Sequence, residues 1–194
     1  MIQPLSSAET LALLESSRAL LSGHFRLSSG AHGDRYVQCA RALEDPARAE
    51  RFGSGIAALF TGERVDAVAA PALGGLIIGH EVARALRVRF LFAERHEARL
   101  AFRRGFELAS GERLLLVEDV LTTGGSVSEL RTIVEAAGGI AVAIGAIVDR
   151  SFGGFSPGVP VRKLVTLEVA HYLPSECPLC ARGVPIEKPG SRPA

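Results

Sequence analysis

Short apolar runs alternate with amphipathic helical patterns along most of the chain. Strands are predicted over 65–72, 88–94, 113–119, 140–149 and 163–169, and helices over 74–86 and 126–139. The strand segments are apolar at consecutive positions, which is typical of strands buried on both faces of a parallel sheet. The alternation therefore predicts an α/β fold with a central, mostly parallel sheet flanked by helices.

The remaining segments fit a single domain, since the chain has 194 residues. A first helix is predicted over 6–21, where Ser6 and Glu9 have the spacing of a capping box. Another helix is predicted to start at Asp45, an N-cap residue followed by proline. Residues 95–111 are basic and show no periodicity, so they are predicted to be irregular.

Composition argues against several classes of protein. The formal net charge is +1, so nothing favours binding to nucleic acid or to an anionic membrane. No apolar stretch reaches the roughly 18–20 residues that span a membrane. The N-terminus has no basic segment followed by an apolar one, so no secretory signal is expected. Three cysteines and no export signal indicate the reducing cytoplasm.

The segment from Leu114 to Val127 carries the most specific chemical signal. Its predicted strand ends in two adjacent acids, Glu118 and Asp119, at the edge where open α/β sheets bind ligands. The residues predicted to bind substrate follow, and those over 122–126 are predicted to hold a phosphate group: Val120, Leu121, Thr122, Thr123, Gly124, Gly125 and Ser126. Glycines let successive amide hydrogens face one anion, and the helix that follows adds the positive end of its dipole. A phosphate site beside two acids suits a sugar phosphate, whose hydroxyls the acids can bind.

This segment resembles the phosphoribosyl pyrophosphate signature of the type I phosphoribosyltransferases, and it is neither a Walker sequence nor a dinucleotide fingerprint. A plain strand, turn and capped helix is the alternative, but it requires neither two acids nor three hydroxyls. Ala72, Leu73 and Gly74 resemble the pyrophosphate loop of the same family. Family members often have a non-proline cis bond there, which by position is Ala72–Leu73. An ordinary strand-to-helix turn is the alternative for this loop.

The resemblance implies an enzyme that joins orotate to the ribose 5-phosphate of 5-phosphoribosyl 1-pyrophosphate, as in pyrimidine biosynthesis. Glu118 and Asp119 are then expected to hold the ribose hydroxyls near the developing positive charge. Mg²⁺ is expected to bridge sugar and pyrophosphate oxygens, with Asp119 nearby and no side-chain ligand assigned. The resemblance also implies a cytoplasmic homodimer, a core over about 41–159, and a hood formed by about 1–40 and 160–194.

In this family a flexible basic loop closes over the active site of the neighbouring subunit. Residues 95–104 occupy its position, although they depart from the usual Arg-Lys-x-x-Lys-x-His pattern. The residues expected to contact pyrophosphate are Arg95, His96, Arg99, Arg103 and Arg104, of which Arg99 is assigned a catalytic role. A solvated surface loop is the alternative.

Two further features suggest orotate as the base. The segment 25–36 resembles the F-x-L-x-S-G segment of orotate-specific members, and Ser28, Tyr36 and Val37 are expected to contact substrate. Arg150 follows a predicted strand where those members place an arginine facing the base, and a guanidinium suits the carboxylate of orotate. Two alternatives stay open: an enzyme for a purine base, and a regulator that binds the sugar pyrophosphate without catalysis.

Cys177 and Cys180 have the spacing of one half of a zinc site. The sequence indicates no second half, because the other candidates show no ligand spacing; these are Cys39, His24, His32, His80 and His171. We therefore expect the cysteine pair to form a packed C-terminal turn and the histidines to be ordinary residues.

Overall fold

A computed structural model describes residues 2–27, 29–151 and 153–189. The strands are β1 Leu20–Arg26, β2 His32–Val37, β3 Ala67–Pro71, β4 Arg89–His96, β5 Arg99–Phe102, β6 Arg113–Leu121, β7 Ile140–Asp149 and β8 Val161–Thr166. The α-helices are α1 Ser7–Ser16, α2 Cys39–Leu43, α3 Pro46–Leu59, α4 Gly75–Leu86, α5 Gly125–Ala136 and α6 Pro178–Ala181. A short 3-10 helix spans Pro174–Glu176.

The main sheet has six strands in the order β5-β4-β3-β6-β7-β8. All neighbouring strands are parallel except β4 and β5, so the predicted α/β fold with a mostly parallel sheet is confirmed. The chain leaves β3 toward β4 and leaves β6 toward β7, in opposite directions across the sheet. Strand order therefore reverses between β3 and β6, and ligand crevices form at such points in open α/β sheets.

Helices cover both faces of the sheet, and β6 contributes side chains to both cores. Leu115 and Val117 pack with residues of α3 and α4, whereas Leu114 and Leu116 pack with residues of α5. All four side chains are fully buried. Burying each such side chain contributes about 1.5–3 kcal/mol, so the strand that carries the acid pair is held firmly from both sides.

The N-terminal helix is shorter than predicted. Its capping box is present, but the helix ends at Ser16, and Arg18 adopts a left-handed φ of 56°. Leu20 and Leu21, which continued the apolar pattern of the helix, belong to β1 and pair with β2. The prediction of helix through residue 21 is therefore wrong, because apolar residues of a strand followed the helix without a glycine or proline between them.

The prediction of irregular structure over 95–111 is wrong for its first half. β4 extends to His96 and pairs antiparallel with β5. Glu97 and Ala98 connect the two strands with φ values of 49° and 67°. Turns with positive φ at both central residues favour glycine and asparagine. Because Glu97 and Ala98 are neither, the sequence contains no hairpin signal here. Residues 95–104, with both strands and the turn, are called the basic hairpin below.

A second, two-stranded sheet of β1 and β2 lies against the C-terminal segment. The amide of Glu187 donates to the carbonyl of His24 at 2.8 Å, and the amides and carbonyls of His32 and Tyr172 bond reciprocally. β8 belongs to the main sheet, so the C-terminal segment leaves that sheet only after Thr166. The division into core and hood remains a prediction. Among the described residues, every helix is too short or too polar to cross a membrane.

Candidate active site

The acid pair lies where the strand order reverses. Glu118 is buried, Asp119 is half-buried, and Asp119 Oδ1 accepts a hydrogen bond from the amide of Val120 at 2.8 Å. Gly74, which follows β3, approaches from the other side of the crevice. A Cβ atom at Gly74 would lie 2.8 Å from Asp119 Oδ1, closer than real Cβ contacts allow. The two loops predicted from separate motifs therefore meet at Asp119, and glycine at position 74 makes that approach possible.

Neither acid has a cationic partner among the described residues. Burial, together with the negative charge of Asp119, raises the pKa of Glu118 well above its ordinary value. Burial also raises the pKa of Asp119. Adjacent buried acids without a counter-charge are costly in a folded chain, and such groups cluster at functional sites, where a ligand supplies the missing partner.

A small cup of about 60 Å³ lies beside the acids, lined by Glu118 and residues 120–127. Gly124 turns the chain into α5 with a φ of 73°, and a Cβ atom there would lie 2.2 Å from the ring of Phe155. The amides of the first turn of α5 have no acceptor within the helix. Together with the helix dipole, those amides make the cup suited to an anion.

A larger cavity of about 350 Å³ opens next to the cup and shares Thr122 and Thr123 with it. The residues that line it are Leu27, Ser29, Thr122, Thr123, Arg150, Ser151, Gly154, Val169 and His171. Its size lies within the range of sites for small molecules. One wall comes from the loop after β1 and another from the C-terminal segment, so the cavity lies between the main sheet and the predicted hood.

Arg150 is the one cationic side chain among the described residues that line the large cavity. Its backbone amide donates to the carbonyl of Leu121 at 2.9 Å, which fixes it beside the end of β6. The guanidinium is half-buried and has no carboxylate partner in the described part of the chain. Burial lowers the pKa of Arg150 from its ordinary value, although an arginine remains charged near neutral pH. The cavity therefore presents an unbalanced positive charge.

The predicted basic residues lie apart from both the cup and the large cavity. Arg95 pairs with Glu129 at 2.9 Å, and Arg104 pairs with Glu94 at 2.9 Å. Arg103 lies 3.7 Å from the same Glu94. The two remaining members, His96 and Arg99, are exposed and have no ion pair among residues 2–27, 29–151 and 153–189. The structure therefore does not bring the basic hairpin to the acids of its own chain.

The other predicted site residues that the structure describes lie in the loop after β3 and at the end of β2. The peptide bond between Ala72 and Leu73 is cis, as the resemblance implied. Tyr36 donates from its hydroxyl to Gln38 at 3.2 Å, and Val37 is buried in the core below α3 and α4. The remaining residue of this group, Ser28, lies outside the described residues.

Several residues at the site were not predicted from the sequence. Leu27, Val169 and His171 line the large cavity, although they come from distant parts of the chain. The thiol of Cys39 donates to the carbonyl of Asp119 at 3.9 Å, and burial, with the charges of both acids, raises its pKa well above the ordinary value. No local pattern marks these residues, because only the tertiary fold brings them to the crevice.

Comparisons with known proteins agree with the geometry. No family model matches the chain. The orotate phosphoribosyltransferase of Pelotomaculum thermopropionicum is 49% identical over 184 residues, which are 95% of this chain and 97% of that protein. The structure of orotate phosphoribosyltransferase from Aeropyrum pernix aligns with a TM-score of 0.68 and 25% identity, covering 80% of this chain and 92% of that chain. Adenine phosphoribosyltransferase from Thermoanaerobacter pseudethanolicus aligns with a TM-score of 0.62 and 22% identity, covering 69% of this chain and 88% of that one. The last likeness concerns the fold alone, so the fold does not distinguish between the two bases.

Proposed function

The chain belongs to the orotate phosphoribosyltransferase family, and we propose that the crevice between β3 and β6 is its active site. The reaction joins orotate to the ribose 5-phosphate of 5-phosphoribosyl 1-pyrophosphate, giving orotidine 5′-phosphate and pyrophosphate in pyrimidine biosynthesis. In this proposal the cup holds the 5′-phosphate, the acids face the ribose, the loop at 72–74 faces the pyrophosphate, and the large cavity holds the base.

The observation that carries the proposal is the unpaired guanidinium of Arg150 in the cavity beside the cup. A planar guanidinium binds a planar carboxylate through two parallel hydrogen bonds, and orotate has such a carboxylate. A purine base would leave the positive charge of Arg150 without a partner in a half-buried site. A regulator that only binds the sugar pyrophosphate would have no use for a cavity sized for a base.

Binding and orientation would do most of the chemistry in this site. When pyrophosphate leaves, positive charge develops on the ribose, and the carboxylates of Glu118 and Asp119 would hold the ribose hydroxyls beside that charge. Fixing the 5′-phosphate in the cup would align the ribose carbon with the attacking nitrogen of orotate. The walls above the large cavity would keep out water, which competes with orotate as the nucleophile.

Magnesium is the cofactor that fits this donor set. Glu118 and Asp119 offer hard carboxylate oxygens without a cation among the described residues, and the sugar and pyrophosphate supply further oxygens. When bound, Mg²⁺ would neutralise charge on the departing pyrophosphate. The chain's own contribution would be to position the ribose hydroxyls that share the ion.

The proposal includes a homodimer in which the basic hairpin of one subunit serves the active site of the other. Its support is that none of the five basic residues lines the cup or the large cavity of its own chain. Exposed Arg99 would then stabilise the pyrophosphate leaving group in the partner's site. A cytoplasmic location is also proposed, and the three free cysteines are consistent with it.

Loss of the ultraviolet absorbance of orotate tests this function directly. With 5-phosphoribosyl 1-pyrophosphate present, we expect magnesium-dependent consumption of orotate and none of adenine, hypoxanthine or uracil. Arg150→Gln should raise the KM for orotate far more than the KM for the sugar pyrophosphate. Turnover of another base would contradict the assignment of the large cavity. Binding of the sugar pyrophosphate without turnover of any base would make the protein a regulator.

A further inference from the structure

Four potential metal ligands meet on the side of the β1–β2 sheet that faces the C-terminal segment. They are His24, His32, Cys177 and Cys180, and one ligand atom from each lies within 4.8 Å of all the others. The first three residues are 2%, 8% and 3% exposed, while Cys180 lies at the surface. The sequence predicted ordinary histidines without ligand spacing, whereas the structure places both of them beside the cysteine pair.

Three of the distances between these atoms lie within the range of the edges of a tetrahedron around zinc, and the distance between the two ring nitrogens is slightly shorter. Zinc bonds of about 2.3 Å to sulfur and about 2.0–2.1 Å to nitrogen place neighbouring ligand atoms about 3.3–3.8 Å apart. Cys177 Sγ lies 3.5 Å from His24 Nε2, and Cys180 Sγ lies 3.7 Å from the same atom. Cys180 Sγ is 3.3 Å from His32 Nδ1, and the two ring nitrogens are 3.0 Å apart.

The surroundings of His24 orient it as a ligand. Its Nδ1 atom lies 2.8 Å from the carbonyl oxygen of Val184, which only accepts hydrogen bonds. Nδ1 must therefore carry the proton, and the lone pair of Nε2 points into the cluster. An imidazole whose second nitrogen donates to a backbone carbonyl is the usual arrangement of a histidine bound to zinc.

We propose that His24, His32, Cys177 and Cys180 bind one Zn²⁺ ion in a closed structural site. Two thiolates and two neutral imidazoles balance the charge of the ion, so the buried site is neutral overall. Tetrahedral sulfur and nitrogen ligands select zinc over Mg²⁺ or Ca²⁺, which require oxygen. Four protein ligands leave no open position, so the ion has a structural role and is separate from the chemistry in the crevice.

The proposed zinc site joins two parts of the hood that are far apart in the sequence. His24 and His32 flank the loop that contributes Leu27 and Ser29 to the large cavity, and the two cysteines lie more than a hundred positions later. Apart from the proposed ion, the two segments are joined by individual hydrogen bonds, among them those from the Glu187 amide to the His24 carbonyl and from His24 Nδ1 to the Val184 carbonyl. The zinc ion therefore holds the C-terminal segment against the loop that walls the cavity.

Metal analysis of the purified chain is the direct test, and it does not depend on the proposed activity. Protein produced and purified without chelator should contain about one zinc ion per chain. Cys177→Ser with Cys180→Ser should contain none, whereas His80→Ala, which removes an exposed histidine outside the cluster, should keep the ion. Removing zinc from the unaltered chain with a strong chelator should lower its Tm.

Cobalt titration of the unaltered, zinc-depleted chain covers the case in which the cysteine variant does not fold. Tetrahedral Co²⁺ with thiolate ligands gives strong visible bands and a sulfur-to-metal charge-transfer band, and added zinc should abolish both. Zinc-free protein that gives no such bands would overturn the proposal and leave a hydrogen-bonded cluster. A disulfide between Cys177 and Cys180, with no bound zinc, in protein produced and purified without chelator would overturn it as well.

Discussion

Glu118 and Asp119 show how burial changes the pKa values of two adjacent acids. Because burial and the charge of Asp119 raise the pKa of Glu118, the folded chain binds that proton more tightly than the unfolded chain does. Below the ordinary carboxyl pKa both states are protonated, and the group has no effect on stability. As pH rises from the ordinary pKa to the raised pKa, the unfolded chain releases its proton first, so the folded state loses stability until pH has passed the raised pKa. The ligand-free protein should therefore carry a stability cost from this residue at neutral and alkaline pH.

Glu118→Gln should stabilise the ligand-free protein at pH 8 by about 1–2 kcal/mol, while it weakens catalysis. The variant should also flatten the fall in stability between pH 5 and pH 8, as measured by urea unfolding. Glu112→Gln is the matched control, since Glu112 is equally buried but accepts two hydrogen bonds of 2.7 Å from Arg89. The pKa of Glu112 is lowered chiefly by that arginine, so its substitution should destabilise the chain. Equal destabilisation by both substitutions would contradict the assignment of an unpaired acid.

At the scale of elements, local sequence patterns predicted the boundaries of β6, α5 and β7 to within three residues. These elements are buried on both faces or capped by glycine, so their boundaries are set by neighbours in sequence. The end of α1 and the basic hairpin were not predicted, because residues with positive φ that are not glycine form both boundaries. Arg18 ends the turn that follows α1, and Glu97 and Ala98 connect the paired strands β4 and β5.

The candidate site also has parts that the sequence predicted and parts that it did not. The acids and the loop over 122–126 are contiguous, so one motif was enough to find them. The large cavity and the four-residue cluster combine segments near residue 27 with segments beyond residue 168, and no periodicity connects them. A cysteine pair signalled half of the cluster, but the histidines became visible as partners only once β1 and β2 were paired.

The turn into α5 offers a test with a matched control in the adjacent residue. Gly124 has a φ of 73°, and a Cβ atom there would overlap the ring of Phe155, so Gly124→Ala should destabilise the chain by about 1–3 kcal/mol. At Gly125 the nearest atom to an added Cβ is Thr123 Oγ1 at 3.5 Å, and φ is not positive. Gly125→Ala should therefore leave the Tm nearly unchanged. Thermal unfolding of both variants tests this expectation, and a similar Tm for the two would contradict a strained turn at Gly124.

At the scale of the whole molecule, the basic hairpin is anchored to the helix that starts at the cup. Glu129 of α5 accepts hydrogen bonds from Arg95 at 2.9 Å and from the amide of Leu100 at 2.6 Å. This anchoring leaves Arg99 exposed at the turn of the hairpin, away from the acids of its own chain. In the proposed homodimer, the hairpin of one copy would complete the site of the other.

Mixing two inactive variants tests this arrangement. Asp119→Asn and Arg99→Ala should each reduce turnover about 100-fold or more, because each removes charge stabilisation of the transition state. In a hybrid dimer, a hairpin that acts on the partner's site places both defects in one active site and leaves the other intact. Random mixing, after dissociation and reassociation of equal amounts, should therefore restore about one quarter of the normal activity.

The control mixes Asp119→Asn with Glu118→Gln, whose defects lie in the same chain's crevice, so every site of the hybrid keeps one defect. That mixture should stay inactive while sedimentation shows the same dimer. If the Arg99→Ala mixture also stays inactive although hybrids form, the hairpin serves its own chain. A chain that sediments as a monomer at assay concentrations and still turns over orotate would contradict the shared site. In that case Arg99 would have to reach the crevice of its own subunit through a movement of the hairpin.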